Sequence, residues 1–439
     1  MTTTDSRARA ADEAPRRAAS RALYALLSAH AISQTGNVIT AFAIPFYVLA
    51  TGGSGVEVGL AAFAATAPVI FGGVFGGVVI DRVGGRRTAI IADVVSGATV
   101  LAIPALALTV GLPFWALLLI VFASGILDTP GQIARRVMLP ELTEAARIRL
   151  ERSVGLLDGS ERLSKLIGAS VAGALVALLG PMAALITNAA AFFVSAAVTR
   201  LMVPATTVRI AADDNADGDA DAETDAETPR SYWRELRDGF RFVVRDPLMR
   251  LIVGMVLITN LLDAARSSTL LPLYANAELG GAGALAVIVA VMGGCALVGN
   301  IAFGFVAHRV PRRLTFAICF LIAGGPSSAV FAFGAPFAVL IAVVAVSGLA
   351  AGALNPILGA VQLERVPARM RGRVFGLLNA GTWAGVPLGA LVGGFMADGV
   401  GLFVAFGVIA VVYTVVTLTP LTGGSWRLMD RRPAPGAAP

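Results

Sequence analysis

The stretch Gly72 to Arg87, GGVFGGVVIDRVGGRR, decides how this chain folds. A glycine-rich apolar run ends in Asp81-Arg82, turns through Gly84-Gly85, passes Arg86-Arg87, and apolar sequence resumes at once. Small residues let two helices approach closely in lipid. The abrupt charge marks a helix leaving the hydrocarbon on the side where arginine collects. A turn this short needs glycine, because the next apolar run begins within a few residues. A soluble helical hairpin has such turns too, but not between two long apolar runs.

The whole chain carries the same signature. Its 439 residues are 56% hydrophobic and 14% charged, with a mean hydropathy of +0.79. Soluble globular chains hold about 25% charged residues, so a soluble multidomain protein of this composition lacks the polar surface to cover itself. The net charge of +6 sits in short arginine clusters between apolar runs. That is an orientation signal, and no nucleic-acid partner is expected. Cys295 and Cys319 fall inside apolar segments and read as buried helix residues, not a disulfide framework. No GxxxxGK[ST] loop is present, so the chain does not itself use ATP. With no zinc-ligand spacing and no nucleophile elbow, neither an enzyme nor a cofactor is expected.

Spans need about 20 apolar residues each. The first part of the chain gives them near 23–50, 56–80, 88–110, 113–135, 153–179 and 182–203. The second gives 248–276, 283–307, 314–334, 336–361, 374–397 and 400–421. The prediction is an all-α membrane protein of twelve transmembrane helices in two pseudo-symmetric six-helix halves, residues 22–204 and 248–422. One set of loops holds Arg16/Arg17/Arg21, Arg82/Arg86/Arg87, Arg135/Arg136/Arg147/Arg149/Arg152, Arg309/Arg312/Arg313, Arg365/Arg369/Arg371/Arg373 and Arg427/Arg431/Arg432. The alternating loops, from Thr51–Glu57 to Asp398–Gly401, contain no lysine or arginine. By the positive-inside rule the first set is cytoplasmic, as are both termini, in the inner (plasma) membrane.

Three segments stand outside the spans. Residues 1–21, polar and alanine-rich, are expected as a disordered cytoplasmic tail, and 423–439 as a second tail. The linker 205–247 contains DDNADGDADAETDAETP, which cannot bury a core, followed by YWRELRDGFRFVV. There Trp233, Leu236, Phe240 and Val243 share one helical face, as in a helix lying on the membrane surface.

The two halves echo each other. Ile44-Pro45-Phe46-Tyr47 matches Leu271-Pro272-Leu273-Tyr274, and Gly77-x-x-x-Asp81-Arg82-Val83 matches Gly304-x-x-x-His308-Arg309-Val310. Ser124-Gly125 meets Ser347-Gly348, and Gly155-Leu156-Leu157 meets Gly376-Leu377-Leu378. Four matches in register imply parallel repeats about an axis along the membrane normal, an arrangement of secondary transporters.

Six plus six spans, the charged motif after the second and its degenerate copy after the eighth resemble the major facilitator superfamily. Two stretches, Trp233-Arg234-Glu235-Leu236 through Pro247 and Gln362-x-x-x-Val366-Pro367 through Gly376, are similar to its bacterial exporters of drugs, macrolides and siderophores. The resemblance implies that Gly77, Asp81, Arg82, Gly84, Arg86 and Arg87 form a cytoplasmic gate motif. It further implies that Asp128 pairs with a loop arginine and latches that gate. The chain departs from the family pattern at Gly85, where an arginine is usual, and at Val121, where proton-coupled exporters often carry one. Gly168 to Gly173 also lacks the exporters' proline.

Ionisable groups at membrane depth need a partner or a function. Asp263 and Arg266 lie mid-span and are spaced to share a helix face, with Asn260 one turn earlier. They read either as a mutually neutralising pair or as a proton or substrate site. Asn37 and Asn355 lie on helices that line the cavity in the family. Asp158/Arg162 and Glu161/Lys165 have i,i+4 spacing, and His30 reads as a shallow surface residue. The expected function is secondary active transport, proton-driven efflux of small amphipathic compounds by a monomer. Protons are the coupling ion, and the partners are a small-molecule substrate and the bilayer. Nutrient uptake or facilitated diffusion, and a membrane-embedded sensor or scaffold without transport, are the alternatives.

Overall fold

The computed structural model describes residues 3–68, 79–204, 240–366 and 371–430, with backbone only for 3–15 and 371–373. Among the described residues there is no β-strand. The helices are α1 (Thr3–Ala50), α2 (Gly55–Thr66), α3 (Gly85–Thr109), α4 (Phe114–Ala145), α5 (Leu150–Met202), α6 (Pro247–Ala264), α7 (Leu271–Glu278), α8 (Ala282–Val306), α9 (Arg312–Ala332), α10 (Phe337–Gly352), α11 (Leu354–Arg365), α12 (Arg371–Trp383), α13 (Gly385–Val400) and α14 (Leu402–Leu418). Among the described residues, ten helical stretches are long and apolar enough to cross a membrane, and α2 is a shorter apolar helix. The chain is a multi-pass membrane protein.

Turn chemistry follows the sequence closely. Gly84, at the N-terminus of α3, has φ +88°, a conformation that costs glycine nothing. Its neighbour Gly85 lies flush on α4, where an added Cβ would sit 2.9 Å from Met138 Cγ. The 53 residues of α5 are broken at Gly180 (φ 82°, ψ 169°), just before Pro181, where a loop between two spans is expected. Between α6 and α7 the helix widens into a π-helical segment, Ala265–Leu270. Pro272 lacks the N–H that an α-helix would use there, and such widening often accompanies functional sites.

Packing is by small residues. In α13 the stripe Gly385, Gly389 and Gly393 lies against α6 and the π segment: a Cβ on Gly389 would fall 2.0 Å from the Leu261 carbonyl oxygen. In lipid, where apolar side chains gain little by clustering, such close backbone approach drives association. Helix α5 packs on α1, α3 and α8, and α13 packs on α2 as well as α6. The last two contacts across the linker, α5 on α8 and α2 on α13, join the first part of the chain to the second.

Two segments differ from expectation. Residues 3–20, expected as a disordered tail, continue α1 as helix, since alanine and arginine are good helix formers. The C-terminal tail is anchored at its start: Trp426 and Met429 are buried, with the Trp426 ring 6.2 Å from that of Phe316. Counting charges alone overlooks that one indole. The acidic run and Trp233 lie outside the described residues, as do Gly77 and Pro367.

Candidate functional site

Among the described residues, two polar clusters at membrane depth line cavities. In the first, Asp128 on α4 is 6% exposed. Its Oδ2 accepts hydrogen bonds from Asn37 Nδ2 on α1 (2.8 Å) and Gln132 Nε2 one turn on (2.5 Å). Its Oδ1 has no hydrogen-bond partner among the described residues. Asn37 is in turn 3.3 Å from the Gln34 side chain. These groups line a cavity of about 240 Å³ whose other walls include Ile44, Val100, Ile103 and Val121. The result is a carboxylate held by carboxamides in an apolar wall, with no cation paired to it among the described residues.

In the second cluster, Asp263 ends α6 and its Oδ1 accepts from Arg266 Nη2 at 3.2 Å. Arg266 also donates to Ser327 Oγ on α9, and Tyr413 Oη on α14 lies 3.4 Å from Asp263 Oδ2. Asn260 donates to the Thr382 carbonyl at 2.8 Å. Asn260, Asp263, Arg266, Tyr413 and the exposed Asn355 line a cavity of about 270 Å³. It continues into one of about 710 Å³ that runs past Gln362 and Phe375 toward the arginine-rich ends of α6 and α11. The Asp263 side chain is 40% exposed and that of Arg266 11%. Asp263, Arg266, Asn260 and Asn355 are therefore brought together, as Asn37 and Asp128 are in the first cluster.

The loop motif looks different from its implied arrangement. Asp81, Arg82 and Arg87 are exposed. Arg86 Nη2 donates to the Arg200 carbonyl at 2.6 Å, capping the C-terminal end of α5 with a cation that the helix dipole favours. The partners of Asp128 are thus carboxamides and not the loop arginines. An arginine does reach a buried carboxylate nearby, but it is Arg135 on Asp93. That pair is fully buried, and Ser195 Oγ donates to Asp93 Oδ2 at 2.7 Å while accepting from Arg135 at 3.0 Å. Sequence reasoning passed over Asp93, although an aspartate inside an apolar span was signal enough.

The helical pairs Asp158/Arg162 and Glu161/Lys165 are not what forms either. Glu161 takes Arg136 of α4 and His30 Nε2 (3.1 Å), and Asp158 is 3.9 Å from Arg136. His30 is buried, contrary to the surface reading, because α5 covers that face of α1. At the arginine-rich end, Asp246 accepts from Leu248 N and Met249 N, starting α6, and from Arg365 Nη2 at 2.9 Å. The two exporter-like stretches therefore meet at one ion pair.

The sequence profile of the Major Facilitator Superfamily matches residues 26–302 and 261–438, and the chain belongs to that family of transporters. It is 28% identical over 418 residues to the "Multidrug efflux pump Tap" of Mycobacterium tuberculosis and Mycobacterium bovis, covering 93% of this chain and 95% of theirs. The Mycolicibacterium fortuitum pump of the same name is 28% identical over 396 residues, covering 88% of this chain and 90% of that one. Among solved structures, the nucleoside transporter NupG aligns with a TM-score of 0.65 at 13% identity, over 92% of this chain and 99% of that one. A bacterial metal transporter aligns with a TM-score of 0.60 at 15% identity, over 92% and 99%. These two share the fold. The chain is a transporter and not an enzyme.

Proposed function

We propose that the chain exports small amphipathic compounds bearing a positive charge, by alternating access driven by proton entry. The observation that carries this reading is Asp128, a buried carboxylate beside apolar walls that has no paired cation among the described residues. In lipid such a charge is costly until a proton or an organic cation neutralises it. Exchange of one for the other at a single carboxylate is the simplest antiport. Similarity to the Tap multidrug efflux pumps over nearly the whole chain supports the outward direction. The break at Gly180 and the short apolar α2, which leads into the residues before Asp81, support twelve spans in two six-helix halves. The loop arginines support cytoplasmic termini in the plasma membrane.

In the same reading Asp263 and Arg266 form the coupling pair, whose charge balance shifts as a proton enters. Asn260 and Asn355 contact substrate, and Asn37 positions Asp128. Gly77, Asp81, Arg82, Gly84, Arg86 and Arg87 close the cytoplasmic gate in the opposite conformation, and the working unit is a monomer. The test compares accumulation of a lipophilic cationic dye and a neutral dye of similar size in cells with and without the protein. Lower accumulation of the cation alone, abolished by a protonophore, is expected. Equal accumulation of both dyes in the two cell types overturns the proposal.

A further inference from the structure

At the end of the molecule remote from the arginine-rich loops, two residues 343 positions apart in sequence meet. Asp398, in the last turn of α13, accepts from Gly55 N through Oδ1 and from Val56 N through Oδ2, both at 2.8 Å. These are the first two amides of α2. The third, Glu57 N, is taken by Ser54 Oγ at 3.2 Å, and the N-cap amide, Ser54 N, by Glu57 Oε2 at 2.8 Å. A helix start leaves four donors without intrahelical partners. Here two are satisfied locally, by the reciprocal Ser54–Glu57 capping box, and two only by another helix, distant in sequence.

We propose that Asp398 is a latch that positions α2 against α13 and holds this end of the transporter shut. A carboxylate is favoured at a helix N-terminus by the dipole and by charge-assisted hydrogen bonds. Below the latch the backbones touch: a Cβ on Gly394 would lie 2.4 Å from the Gly55 carbonyl oxygen, and one on Gly59 2.7 Å from that of Ala390. The two helices therefore approach closely along a glycine seam. Asp398 is exposed, so water replaces its two acceptor contacts and the two freed amides as the helices part. A contact of this kind closes firmly yet releases without stranding a buried charge. The cavity that extends from Asn260 past Gln362 to the arginine-rich end is what a molecule shut at the opposite end requires.

The inference rests on the two-state cycle proposed above, and its test needs no substrate. Spin labels at Thr51→Cys and Val400→Cys, in a Cys295→Ser, Cys319→Ser background, report the separation of the two ends in reconstituted protein. Asp398→Ala is expected to raise the separated fraction about three- to tenfold, the worth of an ordinary hydrogen bond or somewhat more. Val56→Pro removes one donor from the other side of the contact, at a position in the first helical turn that tolerates proline. It should move the distribution the same way, and adding it to Asp398→Ala should give no further shift. Unchanged distance distributions in both single variants overturn the latch. Failure of the dye experiment with shifted distances would instead overturn the efflux reading alone.

Discussion

The Asp128 and Asp263 clusters are built from the same kinds of residue and end in opposite states. Each puts one aspartate on a helix that lines a cavity, with an asparagine nearby and a polar group from a neighbouring helix. Asp263 has an arginine one turn away, aimed at it and steadied by Ser327. Asp128 has Gln132 at the corresponding reach, and the arginine that follows, Arg135, is taken up by Asp93. One carboxylate is paired with an arginine, and the other, among the described residues, is not. The difference teaches that counting charges in spans is not enough, because the function of a carboxylate depends on which one the arginine chooses.

That contrast is breakable. The largest effect is expected from Asp128→Asn, which removes the unpaired charge and should lower cation efflux about 100-fold, while protein levels in the membrane stay unchanged. This magnitude corresponds to losing a buried charge–charge contact worth about 3 kcal/mol. Gln132→Arg should do the same by the opposite means, giving Asp128 the partner that Asp263 already has. If either variant still exports the cation at the normal rate in vesicles, the clusters do not differ in function.

A smaller effect, about tenfold, is expected of Asp263→Asn on proton-driven accumulation, with downhill exchange spared. If Asp263 serves only to neutralise Arg266, the double variant Asp263→Asn, Arg266→Gln restores driven transport, since no unpaired charge remains. Wild-type rates in that double variant would remove Asp263 from the coupling scheme.

The smallest pair of effects sharpens the comparison from the hydrogen-bond side. Asn37→Ala removes one of two bonds to Asp128, and Tyr413→Phe removes one contact to Asp263. Each is worth about 1 kcal/mol, or severalfold in rate. Asn37→Ala should raise the KM for a cationic substrate without moving the pH profile. Tyr413→Phe should move the pH profile and leave that KM alone. Matching changes in the two variants would merge the clusters into one site.

Much of this was legible in advance. Apolar run lengths, Gly180-Pro181 and the Gly84-Gly85 turn reported their structures directly, because a helix in lipid must satisfy its own backbone and can turn only where glycine or proline permits. The pairing of Asp263 with Arg266 was legible as well, since both lie on one helix, three residues apart. What could not be read was any partner on another helix. The i,i+4 spacing offered Glu161 to Lys165, yet Glu161 faces Arg136 and His30, because α5 turns that side toward α1 and α4.

The sequence by itself determined that this chain lives in a membrane and where its helices turn. Each of these follows from the cost of exposing backbone or charge to hydrocarbon, a cost set residue by residue along the chain. Only the tertiary structure decided that Asp93 takes Arg135, that Asp128 is held by Asn37 and Gln132, and that Asp398 caps a helix 343 residues away. The reason is that small residues set how closely helices approach and at what rotation. Ion pairing between helices then follows distances of a few ångströms, which no spacing along a single helix contains.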